Sequence, residues 1–191
     1  RAHGVHTPAT LAASGPGEII AAARALGQAP FILKPNRGGK GLGVQLFHSV
    51  EALAETLAGP GDSGEISLDG IALLQEYIRP AGGFITRMEF IGGRYYYAVE
   101  VDTSEGFELC PADVCAVDDA FCPAPGEQPA PQARQKFRLS RHQPDSELVA
   151  RLEAFLRAND AEIAAAEFVT NEHGTQFVYD VNMNTNYNQQ A

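Results

Sequence analysis

The chain has 191 residues, 45% of them hydrophobic and 20% charged, with a formal net charge of −10. Its size allows a proper core in one domain or two small lobes, and the composition is ordinary for a globular protein. The acidic balance argues against nucleic-acid backbone or an anionic membrane surface as partner, and no apolar run approaches a membrane span. An anionic ligand stays open, because a few local cations outweigh a distant global charge. No signal-peptide pattern is present. The odd set Cys110, Cys115 and Cys122 completes no zinc pattern and reads as reduced thiols in a cytoplasmic protein. The opening Arg1-Ala2-His3-Gly4 lacks an initiator Met, and the chain reads as a fragment of a longer protein.

In chain order, helical character over 18–26 (Ile19, Ile20, Ala23, Leu26) follows a Pro/Gly-rich entry, and 31–34 reads as a short strand. A Gly-rich turn over 36–43 leads into a strand over 44–47. Ser49 suits the N-cap of a helix over 50–57. A loop over 59–64 precedes a buried-looking strand over 71–78, stopped by Arg79-Pro80. Strands over 84–91 and 94–101 flank Gly92-Gly93, a two-residue hairpin signal. Residues 119–135, rich in Pro, Ala and Gln, are expected to form a mobile loop. Asp145 or Ser146 caps a helix over 147–157 with the apolar stripe Leu148, Leu152, Phe155 and Leu156. There is no internal repeat. The expected fold class is α+β, with one lobe over 1–78, a hinge near 76–80 and a second lobe over 79–191. His3, His6, His142 and His173 fall at a terminus or in turns and read as surface residues, and Tyr95, Tyr96 and Tyr97 as strand residues.

The tail from Glu167 to Asn182 reads as two apolar stretches joined at 171–174, hence a β-hairpin. A register centred on the His173–Gly174 bond pairs residues whose numbers sum to 347. It sets Glu167 opposite Asp180, with Asn182 two residues on and on the same face. Like charges facing each other across a ladder are destabilising. The plain reading is a solvated hairpin face. The chemical reading is a hard-cation site for Mg²⁺ or Mn²⁺ built from two carboxylates and a carboxamide oxygen.

The second informative element is Lys34-Pro-Asn-Arg-Gly-Gly-Lys-Gly-Leu-Gly43. Gly38, Gly39, Gly41 and Gly43 let backbone N–H groups turn toward one point, and Lys34, Arg37 and Lys40 add positive charge. Such a loop attracts anionic oxygens, most simply nucleotide phosphates; a purely structural glycine-rich hairpin is the alternative. It is not a Walker A loop, because Gly41 rather than Ser or Thr follows Lys40 and a strand rather than a helix comes next. The strand–loop–strand order is that of a flap over phosphates, yet no His-Arg-Asp or Asp-Phe-Gly follows, which argues against a protein kinase.

Together, the Ile32-Leu33-Lys34-Pro35 strand, the glycine-rich flap, the Leu74-Gln75-Glu76-Tyr77-Ile78 strand and the closing Asp180-x-Asn182 hairpin resemble the ATP-grasp superfamily. The similarity is nearest to its glutathione-synthetase-like and glutamate-ligase-like branches and runs from about Thr7 to Asn188. The resemblance implies ATP held between two α+β lobes with mainly antiparallel sheets. Lys34 would hold the α- and β-phosphates, aided by Arg37 and Lys40, and the 38–43 flap would cover the β- and γ-phosphates. Gln75, Glu76, Tyr77 and Ile78 would form the hinge that reads adenine, chiefly through the Glu76 carbonyl and the Ile78 amide. Glu167, Asp180 and Asn182 match the family's ligands for two Mg²⁺ ions, with Mn²⁺ as a substitute. Arg87 falls where relatives place an Arg facing the phosphates or the acyl phosphate; pairing with Glu89 or Glu100 is the competing reading. Asn184, Asn186, Tyr187 and Asn188 follow where relatives have a substrate- or phosphate-facing loop, though Asn is also a good turn residue.

The resemblance implies a ligase that joins a small-molecule carboxylate to an amine through an acyl phosphate, with neither nucleic acid nor membrane as partner. Rival readings are a non-catalytic ATP-binding module of the same fold and a small-molecule phosphotransferase. Relatives carry a ribose-binding acid before the Arg87 strand, where this chain has Gly82, Gly83, Phe84 and Ile85. They also carry an N-terminal lobe not present in this chain, through which a homo-oligomer would form.

Overall fold

In the computed structural model, which describes residues 2–38, 41–59, 67–103, 137–140 and 144–183, two antiparallel sheets follow one another along the chain. The first is ordered β1-β4-β2-β3 and consists of β1 (Thr10–Ser14), β2 (Phe31–Pro35), β3 (Gln45–Phe47) and β4 (Ile71–Glu76). Helices α1 (Gly15–Leu26) and α2 (Val50–Ala58) pack on it. Ile19, Ala23, Leu53 and Leu57 close one core over Phe31, Leu33, Phe47, Ala72 and Leu74. The second sheet is ordered β7-β6-β5-β8-β9. It consists of β5 (Phe84–Ile91), β6 (Arg94–Asp102), β7 (Phe137–Leu139), β8 (Ile163–Thr170) and β9 (Gln176–Asn182). Helix α3 (Ser146–Ala158) lays Leu148, Leu152 and Leu156 over Met88, Phe90, Ala164, Ala166 and Phe168. A smaller apolar cluster of Ile85, Val99 and Val101, with Tyr97 and Tyr179 beside it, forms separately.

The expected α+β class with antiparallel pairing is what the described residues adopt, and local chemistry explains several element ends. Ser49 Oγ accepts from the Ala52 amide at 3.1 Å, and Asp145 accepts from the Glu147 amide at 3.0 Å. Gly92 and Gly93 both take positive φ, 60° and 67°, which a two-residue hairpin loop requires. Three departures have physical causes. Helix α1 begins at Gly15, a turn earlier than periodicity indicates, because Pro16 needs no amide partner in a first turn and Glu18 reaches back to the Ser14 amide at 3.0 Å. Strand β1 lacks β-branched or aromatic residues beyond Thr10 and lies exposed at a sheet edge, so it left little pattern to read. Strand β4 stops at Glu76 rather than 78. The expected loop over 119–135 lies outside the described residues.

The first residues run from the second sheet to the first. Val5 sits in the α3 core, and the His6 carbonyl accepts from the Val178 amide at 2.9 Å. Further on, Glu76 and Ala9 bond twice: the Glu76 amide donates to the Ala9 carbonyl at 2.8 Å, and the Glu76 carboxylate accepts from the Ala9 amide at 3.0 Å.

These contacts rank two substitutions. Leu152→Ala, at a side chain 2% exposed, is expected to destabilise by about 2–5 kcal/mol because the packed site cannot collapse around the void. Ser49→Ala removes one cap bond and is expected to cost about 1 kcal/mol. Urea denaturation of both variants checks the order.

Candidate active site

The site is set by rows of residues that lie opposite one another across the second sheet. Arg87 on β5 pairs with Glu167 on β8, and Glu167 pairs with Asp180 on β9. The next row joins Glu89, Ala165 and Asn182. The Glu167–Asp180 juxtaposition expected from the sequence is therefore present, though by a different route. Beside the turn the pairs are Phe168↔Val178, Val169↔Phe177 and Thr170↔Gln176, centred on His173 itself. A register shift between Glu167 and Phe168 leaves Tyr179 as an extra residue on β9 and restores the 347 pairing beyond it.

Glu167 is 6% exposed, and its two oxygens are served by different donors. Arg87 Nη1 donates to Oε1 at 2.9 Å and the Tyr179 hydroxyl to Oε2 at 3.0 Å. Arg87 Nε also donates to Glu89 at 2.7 Å, so the guanidinium bridges two buried carboxylates. Of the two readings of Arg87, the pairing with Glu89 is present, joined by a second pair with Glu167, while Glu100 is taken by Arg138 at 2.6 Å. Burial pushes the Glu167 carboxyl up, Asp180 across the ladder pushes it further, and Arg87 and Tyr179 pull it back. Burial, then the neighbouring Glu167, raises the Tyr179 phenol well above its ordinary range, so it stays protonated and donates.

From the first sheet comes Lys34, at the end of β2. Its ammonium donates to the Tyr179 carbonyl at 3.1 Å and stands 5.7 Å from that ring's centroid. Burial lowers the Lys34 pKa, against which Asp180 and then Glu167 act to keep it charged. One cation of the first sheet and two acids of the second thus share one electrostatic neighbourhood. Among the described residues no three His, Cys, Asp or Glu side chains surround a common point. The donors present are Glu167, Asp180 and Asn182, hard oxygens that fit Mg²⁺ or Mn²⁺. Each Glu167 oxygen already accepts one bond and keeps a lone pair, while Asp180 is exposed. Among the described residues the protein oxygens are few, which fits a cation that takes its remaining oxygens from phosphates and water.

The loop after Lys34 is pinned at its base by Asp69. Its carboxylate accepts from Asn36 Nδ2 at 2.7 Å, from Ser67 Oγ at 2.5 Å and from the Ile71 amide at 3.1 Å. Gly41 and Gly43 both take φ of 75°, which side-chain-bearing residues avoid, and a Cβ at Gly38 would meet Pro35 at 3.0 Å. Arg37 and Gly38 are exposed at the mouth. Gly39 and Lys40 lie outside the described residues, as do Asn184, Asn186, Tyr187 and Asn188.

No protein-family model matches the chain. A probable alpha-L-glutamate ligase of Parasynechococcus marenigrum (strain WH8102) is 34% identical over 104 residues, covering 54% of this chain and 21% of that protein. A second, from Teredinibacter turnerae (strain ATCC 39867 / T7901), is 33% identical over 106 residues, 54% of this chain and 33% of that one. The match therefore spans a third or less of these curated relatives. Among solved structures, D-cycloserine synthetase DcsG superposes with a TM-score of 0.64 at 18% identity, over 95% of this chain and 58% of that one. ATP-grasp ligase PsnB, complexed with minimal precursor, Mg and ADP, gives 0.60 at 13% identity, over 98% and 48%. The chain has the ATP-grasp fold.

Within this fold the expected hinge residues are only partly side-chain features. Gln75 is buried in the first sheet, where its Nε2 donates to Thr10 Oγ1 at 2.9 Å, and Glu76 clamps Ala9. Tyr77 and Ile78 follow β4 half-buried. At Gly82, one of the four residues 82–85 that stand where a ribose acid is expected, a Cβ would fall 2.3 Å from the Phe84 ring, so a side chain there requires that ring to move. Sequence reasoning did not single out Tyr179 or Asp69 as part of the site. Ser67-x-Asp69-Gly70 had a usable turn signal; Tyr179 enters only through a bulge, which the alternation of side chains does not reveal.

The Asp69 cluster has a testable acid response. Hydrogen bonds from Ser67, then Asn36, hold its carboxyl down to about 2 against an ordinary 3.8. The stabilisation they give is complete above pH 3.8 and is lost as pH falls through about 2. Carbon-detected NMR titration should place the Asp69 midpoint at about 2, and Asp69→Asn should speed amide exchange at Asn36 and Arg37.

Proposed function

We propose that this chain is the ATP-binding catalytic region of an ATP-dependent ligase that joins a carboxylate to an amine through an acyl phosphate. The carrying observation is the meeting of Lys34 from the first sheet with Glu167 and Asp180 from the second, against Tyr179. A cation and two facing acids on separate sheets form a two-ended site: one end suits phosphate oxygens and the other the metal ion that accompanies them. The fold and the two relatives named as probable alpha-L-glutamate ligases support the same reading.

In this reading 1–78 is the lobe bearing the flap and 79–191 the lobe bearing the metal acids. Lys34 and the amides of 38–43 bind and neutralise phosphate oxygens. Glu167, Asp180 and Asn182 would hold Mg²⁺, which when bound supplies charge neutralisation on the transferred phosphoryl group. Arg87, fixed by Glu89 and Glu167, presents its positive charge to the same region. The substrate carboxylate attacks the γ-phosphorus, ADP leaves, and the amine then displaces phosphate from the acyl phosphate. A flap closing over the site shields that intermediate from water. The relatives' names make L-glutamate the first amine to test.

ADP and phosphate are expected to appear only when carboxylate and amine are both supplied; a phosphorylated product that persists without amine would favour a phosphotransferase instead. Asp180→Ala should abolish release while leaving the circular dichroism spectrum intact, and Lys34→Ala should slow it by about 10²–10³-fold. Near-normal turnover in Asp180→Ala would sink the metal assignment.

A further inference from the structure

We propose that Tyr179 is a positioning residue that couples the phosphate end of the site to its metal end, an inference that rests on the ligase reading above. Three independent contacts meet at this one side chain and its own carbonyl. The hydroxyl donates to Glu167 Oε2 at 3.0 Å, the carbonyl accepts from Lys34 Nζ at 3.1 Å, and the ring lies 5.7 Å from that ammonium. The Lys34 bond joins residues 145 apart in sequence and bridges the two sheets.

The bulge makes this possible. In an unbroken β9 ladder, neighbours alternate faces, so residue 179 would point away from the face that carries Asp180. The register shift leaves Tyr179 as the extra residue, and its side chain reaches the Glu167 side of the sheet beside Ile85, Val99 and Val101. The same irregularity leaves the Tyr179 carbonyl accepting from a side chain, Lys34 Nζ.

Glu167 then has each oxygen oriented by a different element, Arg87 from β5 and Tyr179 from β9. A carboxylate held this way has its orientation fixed opposite Asp180, and orienting partners of metal ligands commonly govern ion affinity. Lys34, held over the ring by the carbonyl, is seated next to the acids instead of extending into solvent. Tyr179 thus sets the distance between the cation that meets phosphate and the acid that meets metal.

Binding of a non-hydrolysable ATP analogue, followed by calorimetry across a Mg²⁺ series and in EDTA, separates the two contacts. Tyr179→Phe keeps ring and carbonyl and removes only the hydroxyl. It should raise the Mg²⁺ needed for half-maximal binding by roughly tenfold, with binding in EDTA unchanged. Tyr179→Leu also removes the ring under Lys34, and should weaken binding in EDTA as well. An unchanged Mg²⁺ midpoint in Tyr179→Phe, or equal losses with and without Mg²⁺, overturns the positioning role. Unaltered EDTA binding in Tyr179→Leu overturns its Lys34 half. A wild-type protein that shows no Mg²⁺-dependent nucleotide binding would overturn the ligase reading and this role together, whereas such binding left untouched by the Phe variant overturns the role alone.

Discussion

A carboxylate buried inside a sheet must be matched by donors, because the effective penalty of stripping an ion of water is several kcal/mol. Glu167 sits under that constraint, and much of the surrounding architecture answers it. The strand on one side delivers Arg87 directly opposite, and Glu89 two residues on holds the guanidinium from behind. The strand on the other side delivers a tyrosine hydroxyl and, in register, a second acid. Asp180 makes the burial harder and would be a defect in a merely structural sheet. In the proposed function, that negative charge stands where a cation would bind.

Among the described residues gathered here the acids outnumber the bases. Glu89, Glu167 and Asp180 together carry three negative charges, while Arg87 and Lys34 supply two positive ones. The two cations are not equivalent. Arg87 is fixed by two ion pairs within its own sheet, whereas Lys34 arrives from the other sheet and is held by a neutral carbonyl and a ring. Lys34 is therefore the cation that can exchange one oxygen partner for another without uncovering a buried charge.

Much of this was legible in the sequence, for reasons that vary by element. The hairpin at Gly92-Gly93 and the caps at Ser49 and Asp145 announce themselves because their chemistry is local. The Glu167–Asp180 pairing was reached by counting across a turn assumed to be centred half a residue away from its true centre. The bulge at Tyr179 supplied the missing step, so the pairing came out right although the turn did not. Bulges arise from how two strands meet, and no periodicity within one strand encodes them. Asp69 escaped notice for a related reason: it becomes meaningful only through a partner brought by another segment, Asn36.

The path of the first residues has a consequence for how the molecule comes into being. Val5 and His6 are synthesised well before the segments they pack on, α3 and Val178. The core of the second sheet cannot seal until about 170 residues later, when β9 exists to receive them. The first sheet needs only the chain up to Glu76 and can assemble on its own meanwhile. Throughout that interval Val5 must wait without its partners, an exposure typical of folds whose closing contacts are the most distant in sequence.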